Sequence, residues 1–176
     1  MSNQLIISIG REFGSGGHEI AQRLADLYHL PLYDHNLLEE IARTKNIDSK
    51  DLKEFDEIKK NKLLSRTVRG FSNSPEQNIA FLQFEYLKRK ADAGESFVVV
   101  GRCSESLLSQ YNGFVSIFIL GDMDKKVNRI MNLYHLSEEK AKKLVLEKDQ
   151  KRKQYHNSYC ERKWGDSRNY NISLNS

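Results

Sequence analysis

The sequence predicts an α/β protein built on an open parallel sheet of about five strands, with helices on both faces. Three observations carry that expectation. Strand-like apolar runs alternate with helical patterns along the whole chain, as repeated βαβ units require. Two of the runs, Phe97 to Val100 and Val115 to Leu120, carry no charge and are rich in β-branched or aromatic residues, as strands buried on both faces are. The chain also opens on a strand, a glycine-rich turn and a helix in immediate succession.

The first strand is Leu5-Ile6-Ile7-Ser8-Ile9. Ile20, Leu24 and Leu27 recur at i, i+4 and i+7 and mark the first helix. Between them stand four glycines within eight residues (Gly10, Gly14, Gly16 and Gly17), with Ser15 among them. Glycines let a loop curl and approach an anion closely. Its amides then converge as a nest, and the helix N-terminus adds its positive end. The plain alternative is a tight strand-to-helix turn without a ligand. The loop's length, its place on the first strand and the helix at its end favour an anion or nucleotide. The phosphate-cradle pattern G-x-x-x-x-G-K-S/T is incomplete, because Gly17 follows Ser15-Gly16 where the lysine would stand.

Leu30 to Tyr33 reads as a short second strand, followed by Asp34-His35-Asn36 and a helix from Leu37 to about Arg43. Asp34 or Asn36 can cap that helix. Asp34 also lies at a strand's carboxyl end, where it can meet a metal ion or a sugar hydroxyl. His35 reads as a surface residue. Residues 48 to 65 are charged and helical in pattern, with a thin stripe of Leu52, Phe55, Ile58 and Leu63. Thr67 to Asn73 reads as a mobile connection, and Arg66 and Arg69 there read as solvated charges rather than a phosphate-facing lid. Ser74-Pro75-Glu76-Gln77 is a helix start. That helix carries Ile79, Leu82, Phe84 and Tyr86 and stops near Ala93-Gly94.

The Phe97 to Val100 strand ends in Gly101-Arg102. Ligands of open α/β sheets gather at such strand ends, and arginine there offers a bidentate donor to phosphate. An ion pair with Asp34 or Glu105 is the alternative. Cys103 reads as an inert small residue. After the Val115 to Leu120 strand, Asp122 caps a helix with Val127, Ile130 and Met131 on its buried side. Ser137 starts a long Lys- and Glu-rich helix from Glu138 to about Tyr159, with Asp149 and Arg152 three residues apart. Taken alone it reads as an exposed, salt-bridge-laced helix. The sequence from Cys160 to Asp166 breaks it, with Trp164 as anchor, and Tyr170 to Asn175 alternates as a last strand. An exposed sheet face there asks for a covering helix; a chain boundary or a second subunit would account for its lack, so a homo-oligomer stays open.

A length of 176 residues and 39% hydrophobic content suit one domain with a real core. The net charge of +4 and pI near 9.0 suit phosphorylated small molecules. Basic residues are scattered among acids and show no nucleic-acid motif. No apolar run approaches the ~20 residues of a membrane span. There is no recognisable leader, and cytoplasmic placement is the expectation. Cys103 and Cys160 show no metal spacing and no disulfide framework.

The run Ser8-Ile9-Gly10-Arg11-Glu12-Phe13-Gly14-Ser15-Gly16-Gly17 resembles the opening of the cytidylate kinase-like family, within the P-loop nucleoside monophosphate kinases. The resemblance continues through Leu32-Tyr33-Asp34, Val100-Gly101-Arg102, then Asp149, Arg152 and Tyr155, and from Trp164 to Tyr170 and Leu174-Asn175. It implies a P-loop NTPase-type three-layer α/β/α fold with sheet order 2-3-1-4-5. It also implies a helical monophosphate-binding insert over residues 46–93 and a lid around 149–164. The implied reaction is transfer of the ATP γ-phosphoryl group to a nucleoside monophosphate, with magnesium. By resemblance, Gly14, Ser15, Gly16, Gly17 and His18 cradle the donor, Arg102 and Asp34 meet the acceptor, Arg152 and Arg162 close over the transferring group, and Asp149 orients the arginines or the acceptor. Gly17 stands where true cytidylate kinases carry the loop lysine, and Arg11 or His18 is expected to supply that charge. No arginine follows Asp34 until Arg43, so cytosine preference has no residue behind it. The second expectation is a catalytically inactive nucleotide- or phosphate-binding regulatory protein.

Overall fold

The computed structural model describes residues 4–45, 67–68, 71–72 and 75–176. In chain order the elements are β1 (Ile6–Arg11), α1 (Gly17–Tyr28), β2 (Leu32–Tyr33), α2 (Leu37–Lys45), β3 (Thr67–Val68) and β4 (Phe71–Ser72). They continue with α3 (Pro75–Asp92), β5 (Phe97–Val100), α4 (Ser104–Leu107), β6 (Phe114–Leu120), α5 (Met123–Tyr134), α6 (Glu138–Tyr159), a 3-10 turn (Ser167–Asn169) and β7 (Ile172–Asn175). Five strands form one sheet in the order β2-β5-β1-β6-β7. Every pairing in it is parallel. Numbered among themselves, these strands run 2-3-1-4-5, the arrangement expected from sequence.

β1 is central because its residues have nowhere else to go. Ile6, Ile7 and Ile9 are all buried, and each such side chain contributes roughly 1.5–3 kcal/mol by leaving water. The pleat sends them to opposite faces. Ile7 and Ile9 join Val98, Val100 and Ile119 beneath Ala21 and Ala25 of α1. Ile6 joins Phe97 and Val99 beneath Leu37, Leu38 and Ile41 of α2 and Tyr86, Leu87 and Ala91 of α3. The three layers follow directly. A separate cluster, Val127, Ile130, Ala141 and Val145, fastens α5 to α6.

Several expectations are adjusted. Thr67 to Asn73 is not simply a connection, since Thr67 pairs with Ser72 and Val68 with Phe71 in a small antiparallel ladder. The stripe over 48–65, Arg66, Arg69 and the Ser74 cap lie outside the described residues. Asp122 stands at the N-cap of α5 but makes no side-chain cap bond. Its Oδ1 accepts from Asn175 Nδ2 at 3.0 Å instead, tying α5 to β7. α6 is not all solvated: Ala141, Val145, Tyr155 and His156 are buried. Its Arg, Lys and Glu residues hid that face from a periodicity reading. Trp164 does anchor the helix break, edge-on to Phe118 at 5.4 Å. On the edge strand β7, Ile172 and Leu174 are exposed.

Candidate active site

The β1–α1 loop emerges at the carboxyl ends of β1 and β6 and is pinned from below. The Glu12 amide donates to Ile119 O at 2.9 Å, and the Phe13 amide donates to Asp149 Oδ1 at 2.6 Å. Ser15 is buried, and its Oγ donates to Glu12 O at 2.9 Å. Its own amide turns inward onto the same oxygen at 3.4 Å. Ser176 Oγ donates to Ser15 O at 2.7 Å, so the end of the chain also braces the loop. Gly16 caps α1 in the left-handed region, φ 73°, which a glycine adopts without strain. The amides of Gly14, Gly16, Gly17 and His18 donate to no group among the described residues. Four open amides at the N-terminus of a twelve-residue helix can grip an anion.

Four arginines face this loop around a cleft of about 460 Å³. Arg11 stands at the end of β1. A Cβ on Gly17 would come within 2.5 Å of the Arg11 Cβ, and one on Gly101 would strike Arg11 Nη1. The Arg11 side chain therefore lies between the loop and the end of β5, in space that a residue-17 side chain would need. Arg102 is buried, adopts φ 61°, and donates from Nη2 to the Asp34 carbonyl at 3.3 Å. This contact is to a backbone oxygen of Asp34, where the sequence suggested the carboxylate of Asp34 or Glu105. Arg152 donates from Nη1 to Arg11 O at 3.4 Å, and its guanidinium lies 5.4 Å from the centre of the Phe13 ring. Arg129, on α5, was not anticipated. Its guanidinium lies 3.2 Å from where a Gly16 Cβ would be, and it pairs with Glu19 at 2.9 Å. In the sequence it is one more basic residue on an amphipathic helix, with nothing to set it apart.

At the cleft edge, the Asp34 carboxylate meets two imidazoles, His18 Nδ1 at 3.3 Å and His35 Nδ1 at 2.9 Å. Its other oxygen accepts from the Asn36 amide at 3.0 Å, so Asp34 turns the chain into α2 and faces the cleft at once. His35 is exposed, as its sequence context suggested. Asp149 does not line the cleft. It holds the Phe13 amide with one oxygen and Lys126 Nζ, at 3.1 Å, with the other. Lys126 also bonds Glu12 Oε2 at 2.9 Å. Burial pushes the Lys126 pKa down, but the two carboxylates more than offset this and hold it above the usual lysine value. Arg162 is exposed and does not line the cleft. Cys103 and Cys160, unrelated by spacing, are brought beside each other.

A family model described as "Cytidylate kinase-like family" matches residues 6–176. Among solved structures, an uncharacterized protein from Eubacterium ventriosum ATCC 27560 is 41% identical with a TM-score of 0.76, covering 98% of this chain and 88% of that one. Shikimate kinase from Bacteroides thetaiotaomicron has 12% identity and a TM-score of 0.55, covering 97% of this chain and 86% of its own. A gluconokinase from Sinorhizobium meliloti 1021 has 13% identity and a TM-score of 0.50, covering 99% and 82%. These last two are similar in fold alone. No curated protein matches the sequence. Among the described residues, no helix is long and apolar enough to cross a membrane.

Proposed function

Because the chain belongs to the cytidylate kinase-like family, we propose that it is an ATP-dependent phosphotransferase whose acceptor is a nucleoside monophosphate or another small molecule. The observation that carries this reading is the meeting of Arg11, Arg102, Arg129 and Arg152 with an open-amide glycine loop in one cleft. Phosphoryl transfer needs little covalent chemistry from a protein. It needs the reactants held in line and positive charge around the oxygens where negative charge spreads. Gly14, Gly16, Gly17 and His18 would bind the donor phosphates through main-chain amides, with Ser15 and Asp149 fixing the loop's shape. Arg11 would supply the charge for which the family pattern uses a loop lysine. Arg102, held by the Asp34 carbonyl, would grip the acceptor phosphate, and Asp34 itself an acceptor hydroxyl. Arg129 and Arg152 would neutralise the group in transit.

The cleft's donors fit ATP. For magnesium the fit is narrower. The Ser15 hydroxyl is committed to Glu12 O, and Glu12 Oε2 to Lys126, which leaves the Asp34 carboxylate as a protein oxygen at the cleft edge. Magnesium commonly keeps most of its waters and binds through one or two carboxylates plus substrate phosphates. It would arrive on the nucleotide and supply charge neutralisation there. The insert at 46–93 and the lid-like region at 149–164 would close on the acceptor and the donor respectively, and a cytoplasmic location goes with ATP as donor.

ATP consumption measured over a panel of nucleoside monophosphates, shikimate-like acids and sugars tests the proposal. Turnover is expected with at least one acceptor, and Arg102→Ala should lower it about 10²- to 10³-fold in protein that circular dichroism shows to be folded. The second reading, a nucleotide-binding regulator without chemistry, is favoured by Gly17. ATP-dependent thermal stabilisation with no turnover on any acceptor would select it.

A further inference from the structure

Behind the cleft, four side chains that favour soft cations meet where no spacing in the sequence suggested it. His156 and Cys160 stand one turn apart at the end of α6, with Cys160 as its C-cap. Cys103 is the N-cap of α4, and Glu105 lies in that helix's first turn. One donor atom each from Glu105, His156 and Cys160 lies within 4.8 Å of the other two. The Cys103 thiol lies beside that of Cys160 but outside this group of three, and joins it by turning its side chain. Cys103, Glu105 and His156 are each at least 95% buried.

An imidazole–carboxylate pair alone would account for Glu105, whose Oε1 is 2.5 Å from His156 Nε2. It would not account for two thiols beside it. On the far side of the ring, His156 Nδ1 lies 3.2 Å from Asn157 Oδ1, itself held by the Trp164 amide at 3.0 Å. With Nδ1 committed to an acceptor, Nε2 is the nitrogen presented to the cluster, which is how ligating histidines are oriented in metal sites. Two thiols, an imidazole and a carboxylate form a donor set typical of zinc.

We propose that Cys103, Glu105, His156 and Cys160 bind a zinc ion that ties the end of α6 to the turn carrying Arg102. Tetrahedral zinc with bonds of roughly 2.0–2.3 Å sets its ligand atoms roughly 3.2–3.8 Å apart. The Glu105–His156 contact therefore opens by somewhat less than about 1 Å, and the metal replaces the proton shared there together with the thiol protons, which pass to solvent. A cavity of about 30 Å³ is bordered by Arg102, Cys103, Glu105, Arg152 and His156, so three of the four ligands stand beside two of the cleft arginines.

Zinc titration of the reduced, metal-stripped full chain against a chromogenic chelator tests this, with cobalt as a spectroscopic substitute. One zinc per chain is expected, with a thiolate-to-cobalt charge-transfer band and a melting temperature that rises with zinc concentration. Cys103→Ser and Cys160→Ser should each weaken zinc binding at least about tenfold and reduce the band, whereas His35→Ala, beside the rival cluster at Asp34, should bind as wild type. No zinc uptake by the wild-type chain would overturn the proposal. So would uptake without the charge-transfer band, or uptake abolished by His35→Ala and retained by both cysteine variants. The wild-type arms do not depend on how any variant folds.

Discussion

Placing the lysine of the phosphate-cradle pattern at position 17 should harm this protein unless Arg11 is removed with it. A Cβ at position 17 would sit 2.5 Å from the Arg11 Cβ and 3.1 Å from its Cγ. These are the stem of the side chain, not its mobile end, so a rotamer change cannot relieve the first contact. Overpacking of this kind costs typically about 1–3 kcal/mol. At roughly 2–4 °C per kcal/mol for a chain of this size, Gly17→Lys should lower the melting temperature by about 2–12 °C. Arg11→Gly removes the obstructing Cβ, at a cost of about 0.5–1 kcal/mol for glycine at a strand end. The two changes should then be non-additive, with Arg11→Gly/Gly17→Lys more stable than the sum of the singles by about 1–3 kcal/mol. Thermal unfolding of all four proteins reads this directly. If the phosphotransferase reading is right, turnover should follow the same logic. Arg11→Gly alone should lose about 10²- to 10³-fold, and the double variant should recover at least a tenth of the wild-type rate. A Gly17→Lys protein that melts like wild type, or strictly additive singles, would refute the account of why lysine is missing.

Lys126→Met should cost about 3–5 kcal/mol by leaving Glu12 and Asp149 facing one another in a partly buried site. Because both carboxylates raise the Lys126 pKa, its contribution is complete below the unfolded lysine value of about 10.4 and is lost as pH rises through the higher folded value. The gap in unfolding free energy between wild type and variant should therefore be flat from about pH 7 to 9 and narrow only above about pH 10.4. Asp149→Asn should weaken nucleotide binding without touching the ligand, because the Phe13 amide loses a charged acceptor and Lys126 a partner. Isothermal titration should show the loss in affinity, and Asp149→Glu should recover part of it. Gly10→Ala places a Cβ 2.7 Å from Phe118 and 3.1 Å from Tyr170, and should destabilise by about 1–3 kcal/mol in denaturant unfolding.

What was legible in the sequence was whatever local pattern determines. The strands at 6–11, 97–100 and 114–120 have no solvent face, so their composition alone identifies them. The sheet order followed from the family resemblance, because nothing in the spacing of five strands orders them. Arg11 and Arg102 could be found because both sit at the carboxyl ends of strands, where the backbone itself aims them at a ligand. Arg129 and Lys126 could not, because they lie on an amphipathic helix whose docking depends on α6, and only that docking carries them to the loop. The meeting of Cys103 with Cys160 was hidden for the same reason. α4 and the end of α6 are far apart in the chain and meet only in the fold, where Glu105 contacts His156, and no count of residues along the chain registers it. The Asp149–Arg152 spacing was read as a working pair on one helix face. In the structure the two act on different parts of the loop, Asp149 on the Phe13 amide and Arg152 on the Arg11 carbonyl.

That division bears on how any lid could move. The middle of α6 is fastened to the glycine loop after β1 by the Asp149–Phe13 bond, by Lys126, and by Arg152 on the Arg11 carbonyl. A lid swinging from residue 149 onward would break the bond that holds the loop in shape just as the loop engaged the nucleotide. A hinge near Cys160 would spare these contacts, but it would have to part the Glu105–His156–Cys160 cluster from the Arg102 turn or carry that turn along. Closure that keeps the arginines in register therefore has to move α6 as a unit, sliding on the Val127, Ile130, Ala141 and Val145 packing with α5. Packed helices shift by small shears rather than large rotations. The prediction is a displacement of α5 and α6 together, visible as matched changes in hydrogen-exchange protection of the two helices on ATP binding. Protection changes confined to residues after Cys160 would show that the cluster is the hinge and that α6 stays still.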